Sequence, residues 1–260
     1  MTDEIKVAIQ DPDRRPSIMI ATPMYGGMCT GHYVQGLLQT IAKMRELGVN
    51  IFWAQLMNES LITRARNELA RLFLEKGHDY LMFVDADISF DGMAIAQLLA
   101  ADVDIACGIY PKKEVDWARV NTAAKDGKES LQDYAGSFVF NMVGAEHAET
   151  DSEGMIEVRH AGTGFMLIKR GVFEQLKPHV PTYRVASFKD DTGEYVKPLI
   201  HEFFATSIDD GGALLSEDYH FCDLFRKHGG KIHANPFLQL RHVGTYVYGG
   251  DIVKSGGNLK

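Results

Sequence analysis

Short apolar runs alternate along this chain with amphipathic segments. Ser17-Ile-Met-Ile-Ala-Thr22 is a nearly unbroken apolar run that stops at Pro23, the pattern of a strand covered on both faces. From 32 to 47, Val34, Leu37, Leu38, Ile41 and Met44 recur at helical spacing until Gly48 ends the helix. Asn50-Ile-Phe-Trp-Ala-Gln55 supplies a second strand, Ser60 precedes a long amphipathic helix that stops before Gly77, and Tyr80-Leu-Met-Phe-Val84 is a third strand. Strands joined by crossover helices predict a largely parallel, Rossmann-like sheet with helices on both faces.

The same pattern continues less regularly. A helix is expected over 91–101 and a strand over 104–109, and then 112–153 loses its periodicity and reads as an insertion of short strands and loops. Strands are expected over 155–159 and 165–169 around Ala161-Gly-Thr-Gly164, followed by a short helix over 171–176. Residues 180–198 are polar and turn-rich, 200–206 reads as a strand, and Ser216 caps a helix that reaches 228. Gly229-Gly230 ends that helix before a strand over 231–234. Neither a second core nor a repeat is visible. The expectation is a single α/β domain across 1–260, with a polar leader over 1–16 and a flexible Gly- and Tyr-rich tail over 245–260.

Composition narrows the classes. The chain has 260 residues, of which 45% are hydrophobic, enough for a sizeable core. No apolar run is long enough to span a bilayer, and Met1-Thr-Asp-Glu-Ile-Lys lacks the basic and apolar regions of a secretory signal, so a cytoplasmic location is expected. Cys29, Cys107 and Cys222 lie far apart without metal-type spacing and read as buried free thiols in a reducing compartment. A net charge of −8 argues against an extended phosphate-binding face.

The candidate chemistry gathers where strands end. Asp85 and Asp87 close the third strand, and two carboxylates that close to an apolar run favour a hard divalent cation such as Mg²⁺ or Mn²⁺. The alternative is structural: Asp85 ends the strand and Asp87 shapes the turn before a helix capped by Asp91. Thr22, Pro23, Tyr25, Gly26 and Gly27 form a loop at the same edge, where backbone amides and the Tyr25 ring could meet a ligand, although a Pro-Gly turn needs none. In the helix after Ser60, Arg64 and Asn67 lie off the apolar stripe and Arg66 at its border. Arginines in a first turn oppose the helix dipole, which points to a use in holding diphosphate or acids, or else to a solvated surface. Glu217 and Asp218 are favoured at a helix start by capping and dipole alone, yet a carboxylate fixed there also suits proton abstraction. His242 offers a nitrogen ligand or an ordinary loop hydrogen bond.

In this order, from Ser17 to Gly244, these segments resemble a nucleotide-sugar-dependent glycosyltransferase of the GT-A fold. The carriers are Ala21-Thr-Pro23, Thr63-Arg-Ala-Arg-Asn67, Phe83-Val-Asp-Ala-Asp87, Gly162-Thr-Gly164, Ser216-Glu-Asp218 with Phe221-Cys222 and Gly229-Gly230, and His242-Val-Gly244. The resemblance implies a Mn²⁺ or Mg²⁺ ion held by Asp87, with Asp85 on the ribose or the metal shell and His242 completing the site. It places Thr22, Pro23, Tyr25, Arg64, Arg66, Asn67 and Ala86 at a nucleotide diphosphate sugar donor, with UDP the expected base carrier and Tyr25 able to stack on uracil. Gly162, Thr163 and Gly164 resemble a ligand-binding loop on the acceptor side. Asp218 matches the base of inverting members, which leaves Glu217 to hold acceptor or neighbouring structure. The acceptor stays open among glycans, proteins, small molecules and hydroxymethylated DNA bases. Two other readings remain: a haloacid dehalogenase-type phosphatase, whose D-x-D strand normally comes near the chain start, and a non-catalytic sugar-nucleotide-binding module, against which Asp218 argues.

Overall fold

The structure is a computed structural model that describes residues 14–144, 149–184, 188–189 and 192–255. Its first half follows the alternation of the sequence: β1 (Ser17–Met24), α1 (Gly31–Glu46), β2 (Asn50–Met57), α2 (Ile62–Lys76), β3 (Tyr80–Val84), a two-residue β4 (Ile88–Ser89), α3 (Ala94–Ala100) and β5 (Ile105–Gly108). The less regular part contains α4 (Trp117–Lys125), β6 (Phe140–Met142), β7 (Ile156–Ala161), β8 (Phe165–Lys169) and α5 (Arg170–Leu176). Three two-stranded ribbons come next, in which β9 (Thr182–Arg184) pairs with β12 (Leu199–His201), β10 (Phe188–Lys189) with β11 (Tyr195–Val196), and β13 (Ser207–Ile208) with β14 (Leu214–Leu215). The chain closes with α6 (Glu217–Lys227), β15 (Ile232–Asn235), β16 (Arg241–Val243) and β17 (Val247–Tyr248).

Eight strands form one sheet in the order β2-β1-β3-β8-β5-β15-β7-β6. The strands β2, β1, β3, β5, β15 and β6 run one way, and β8 and β7 run against them, so the sheet is mostly parallel as expected. Side chains alternate across it. Met19, Ala21, Leu81 and Phe83 pack with Leu69 and Phe73 of α2, Phe173 of α5 and Phe221 and Phe225 of α6. Ile18, Ile20, Met82 and Val84 pack on the other face with Tyr33, Leu37 and Met44 of α1 and Ile95 and Leu99 of α3. Helices therefore cover both faces. Among the described residues no helix is long and apolar enough to cross a membrane.

Several expectations are corrected. The aperiodic stretch 112–153 holds the helix α4, whose start Asp116 caps by accepting from the Arg119 N–H. The helix expected after Ser60 begins one residue further on, with Leu61 flanking α2 and the Glu59 carboxylate accepting the Leu61 N–H. Ser216 does stand at the start of α6, but its hydroxyl turns to Asp218 and bonds no backbone N–H of the helix. The strand expected over 200–206 shrinks to β12, because Phe203 and Phe204 turn into the core. The described part of the tail is anchored: β17 pairs with β16, Ile252 is buried, and Lys254 pairs with Asp133. Residues 1–13 of the leader and 256–260 of the tail lie outside the described residues.

The turn of Phe203 and Phe204 is fixed by Asn67, which is buried on α2. Its Nδ2 donates to the Phe204 carbonyl at 2.9 Å and its Oδ1 accepts the Phe204 N–H at 2.8 Å. Removing the amide leaves both backbone groups buried and unpaired. Asn67→Ala is expected to lower unfolding stability by about 1–3 kcal/mol, as read by urea denaturation, and a loss under about 0.5 kcal/mol would show that the clamp is dispensable.

Candidate functional site

The parallel strands β1, β2 and β3 all end at one edge of the sheet, the edge where open α/β folds place ligands. Beyond them lies a cleft of about 460 Å³ whose lining includes Pro23, Tyr25, Leu56, Glu59, Ala86 and Asp87. Tyr25 is 77% exposed, so its ring stands free at the mouth. It sits there because β1 breaks into a single 3-10 turn, Tyr25–Gly27, in which Gly26 and Gly27 take φ of 70° and 69° that side-chain-bearing residues rarely adopt.

Asp85 also lines this cleft, and Arg66 holds it. The Arg66 side chain is 4% exposed; its Nη2 donates to Asp85 Oδ1 and Oδ2 at 3.0 and 3.2 Å, and its Nε donates to Glu217 Oε1 at 3.1 Å. The guanidinium carbon lies 5.3 Å from the Phe83 ring centroid, a further favourable contact for a cation. Burial opposes the Arg66 charge, but Asp85 and Glu217 outweigh it and hold the guanidinium firmly protonated. Glu217 is thereby committed to structure. Its neighbour Asp218 is not: burial pushes the Asp218 carboxyl above the usual carboxylate range, against hydrogen bonds from the Ser216 hydroxyl and the Tyr219 N–H.

Asp87 faces another way. The ribbon of β4 and β16 pairs Ile88 with His242, and the Val243 N–H donates to the Asp87 carbonyl at 2.8 Å, which sets His242 Nε2 3.4 Å from Asp87 Oδ1. His242 Nδ1 lies 3.1 Å from the Pro111 carbonyl, which only accepts, so the Nδ1 proton points there and Nε2 is the nitrogen aimed at Asp87. Lys113 pairs with the other carboxylate oxygen. Burial alone would raise the Asp87 carboxyl, but the His242 ring and the Lys113 ammonium beside it reverse the sign and hold it below its usual value. Among the described residues no three His, Cys, Asp or Glu side chains are grouped to hold a metal. Asp87 and His242 supply one oxygen and one nitrogen, a set whose chemistry suits Mn²⁺ or Mg²⁺, whereas Asp85 is turned to Arg66 and stands apart from them.

The other expected site residues divide. Pro23, Tyr25 and Ala86 line the cleft. Arg64 does not line it but pairs at 2.5 Å with Glu59, which does. Thr22 does not reach the cleft: it is fully buried, with Oγ1 2.5 Å from the Tyr33 hydroxyl and accepting from Trp53 Nε1 at 3.3 Å, so it ties β1 to α1 and β2. Asn67 is the core clamp described above. Gly162, Thr163 and Gly164 are buried between β7 and β8 and form no open lining. A Cβ at Gly162 would collide with the Tyr110 hydroxyl, and one at Gly164 would stand 2.7 Å from that hydroxyl and 3.1 Å from Asp85 Oδ2. These glycines let the Tyr110 hydroxyl accept the Gly164 N–H at 3.1 Å beneath the acid edge. Burial, Asp85 and Asp218 push the Tyr110 phenol well above its ordinary value.

Tyr110 and Lys113 are site residues that motif reading missed. Both come from the segment that leaves β5 at the ligand edge, and the basic pair in Pro111-Lys112-Lys113 was the signal available.

No protein-family profile matches the sequence, and no curated protein sequence matches it. Among solved structures the chain is similar to GalNAc-T7 with UDP, GalNAc and Mn²⁺, at 12% identity and a TM-score of 0.41 over 90% of this chain and 45% of that one. It is similar to a glycosyltransferase involved in glycosylation of the major capsid of PBCV-1, at 10% identity and a TM-score of 0.31 over 61% of this chain and 63% of that one. A nucleoside-diphosphate-sugar pyrophosphorylase from Vibrio cholerae RC9 gives 12% identity and a TM-score of 0.39 over 84% and 91%. The chain thus spans less than two thirds of the first two proteins. Similarities this distant assign it no function.

The raised proton affinity of Asp218 has a sign that can be measured. A carboxyl whose folded value lies above its unfolded value favours the fold at low pH and costs stability once pH rises through the folded value. Asp218→Asn keeps the hydrogen-bond acceptor and removes the half-buried charge. The variant is expected to melt at a higher temperature than wild type at pH 7–8, with the gain fading as pH falls into the ordinary carboxylate range. An unchanged or lower melting temperature at pH 8 would mean that the charge is not costly where it sits.

Proposed function

We propose that this chain is a metal-dependent glycosyltransferase that moves a sugar from a nucleoside diphosphate sugar, most simply a UDP-sugar, to an acceptor hydroxyl with inversion. The observation that carries the reading is the Arg66 guanidinium. It ties the acid edge of the cleft, through Asp85, to the helix start that bears Asp218, through Glu217, so a charge-binding cleft and a carboxyl of raised proton affinity belong to one site.

In this reading the nucleoside lies in the cleft, with its base against the free Tyr25 ring and its ribose toward Asp85, whose orientation Arg66 fixes. Asp87 and His242 would hold a Mn²⁺ or Mg²⁺ ion, which when bound offsets the charge that grows on the diphosphate as the glycosyl bond lengthens. Arg64, paired with the lining residue Glu59, can exchange it for a phosphate oxygen, since a guanidinium matches either anion. Asp218 takes the proton of the acceptor hydroxyl. Its burial raises its proton affinity toward the working pH, which is what a general base needs. Glu217 cannot share that task while it neutralises Arg66. Tyr110, held by Gly162 and Gly164, remains a neutral hydroxyl beside Asp85.

The test is turnover. Wild-type protein with UDP-sugars and Mn²⁺ is expected to release UDP, while Asp218→Asn binds the same ligands with near wild-type affinity and loses about 10²–10⁴ in rate. Asp87→Ala and His242→Ala are expected to lose Mn²⁺-dependent nucleotide binding with the fold intact. Undiminished turnover in Asp218→Asn would rule out its role as base. Phosphate release instead of UDP would favour a phosphatase, and binding without release a non-catalytic module.

A further inference from the structure

Two side-chain cations pair with the two aspartates at the acid edge, and they are held very differently. Arg66 is buried and fixed by Asp85, Glu217 and the Phe83 ring. The Lys113 side chain is 40% exposed, and its ion pair is with Asp87. Its backbone is nevertheless well placed. The Lys112 N–H donates to the Ser137 carbonyl at 2.8 Å, Pro111 bridges to Phe138, and the Pro111 carbonyl orients His242. One short segment therefore sets both the histidine on Asp87 Oδ1 and the ammonium on Asp87 Oδ2.

We propose that Lys113 is the resident counter-ion of the Asp87–His242 site: it occupies the carboxylate while no divalent ion is bound, and yields it when a diphosphate arrives to take the ammonium. The inference rests on the donor site proposed above and adds a rule for loading it. A divalent ion entering alone must displace or crowd the resident Lys113 charge, a repulsion that at about 4 Å in water weakens binding roughly ten- to thirtyfold. A diphosphate changes that, because its oxygens accept the lysine as a point charge while they also ligate the ion. The ion and the nucleoside diphosphate then bind with positive coupling, and by linkage each strengthens the other by the same factor. Metal alone is a poor ligand, and the free protein keeps a cation on Asp87.

The experiment titrates Mn²⁺ into wild type, Lys113→Met, Lys113→Arg and Asp87→Ala, with and without UDP, and reads free Mn²⁺ by electron paramagnetic resonance. Lys113→Met keeps the length of the stem and removes the charge, and the exposed position makes misfolding a minor concern. Expected is a roughly ten- to thirtyfold tighter affinity for Mn²⁺ alone in Lys113→Met, with a comparable shrinkage of the strengthening that UDP gives. Lys113→Arg stays near wild type, and Asp87→Ala binds little in any condition. If Lys113→Met leaves both the Mn²⁺ affinity and the UDP coupling at wild-type values while Asp87→Ala abolishes binding, the metal site stands and the role of Lys113 is overturned. If neither wild type nor Lys113→Met binds Mn²⁺ even with UDP, the metal site itself is overturned, and the counter-ion role with it.

Discussion

A buried guanidinium between two carboxylates is the constraint on which the rest of this site depends. An unpaired charge at the depth of Arg66 would cost several kcal/mol, so the fold is held to arrangements in which Asp85 and Glu217 both reach it. Those partners are 19 and 151 residues away along the chain. One is the end of β3 and the other the start of α6, so satisfying a single side chain fixes how the strand edge and the helix terminus face each other. Arg66 thus converts an electrostatic penalty into positional accuracy, and it does so from the first turns of a helix, where a cation is disfavoured by the dipole.

The same constraint separates the roles of adjacent acids. Glu217 and Asp218 differ by one helical step, about 100°, which sends one to Arg66 and leaves the other half-buried with raised proton affinity. Asp85 and Asp87 separate similarly, one toward Arg66 and one toward His242 and Lys113. The surrounding backbone supports both divisions. Gly162 and Gly164 leave room for Tyr110 beneath Asp85, and the pairing of β4 with β16 delivers His242 from the far end of the chain.

Much of this was legible in the sequence, because the apolar runs and helical stripes up to Val84 encode buried parallel strands and their crossovers directly. The D-x-D at a strand end, the arginines at a helix start and the acids at another were visible as chemistry out of place. What local pattern could not show was which polar residues the tertiary structure would cover. Thr22 and Asn67 sit in motifs that resemble a donor site, yet Tyr33 and Trp53 enclose one and Phe204, 137 residues away, closes over the other. Conversely α4 has only one buried residue, Ala123, so no apolar stripe announced it, and Tyr110 and Lys113 followed a strand into a stretch without periodicity.

The most direct measurement is a pair of double-mutant cycles in urea unfolding, combining Arg66→Met with Asp85→Asn and, separately, with Glu217→Gln. If one guanidinium holds both acids, each cycle should give a coupling energy of about 1–3 kcal/mol, because each single change leaves a partner unpaired that the double change does not. Coupling to only one acid, with additivity within about 0.3–0.5 kcal/mol for the other, would contradict the joining of the strand edge and the α6 start into a single site.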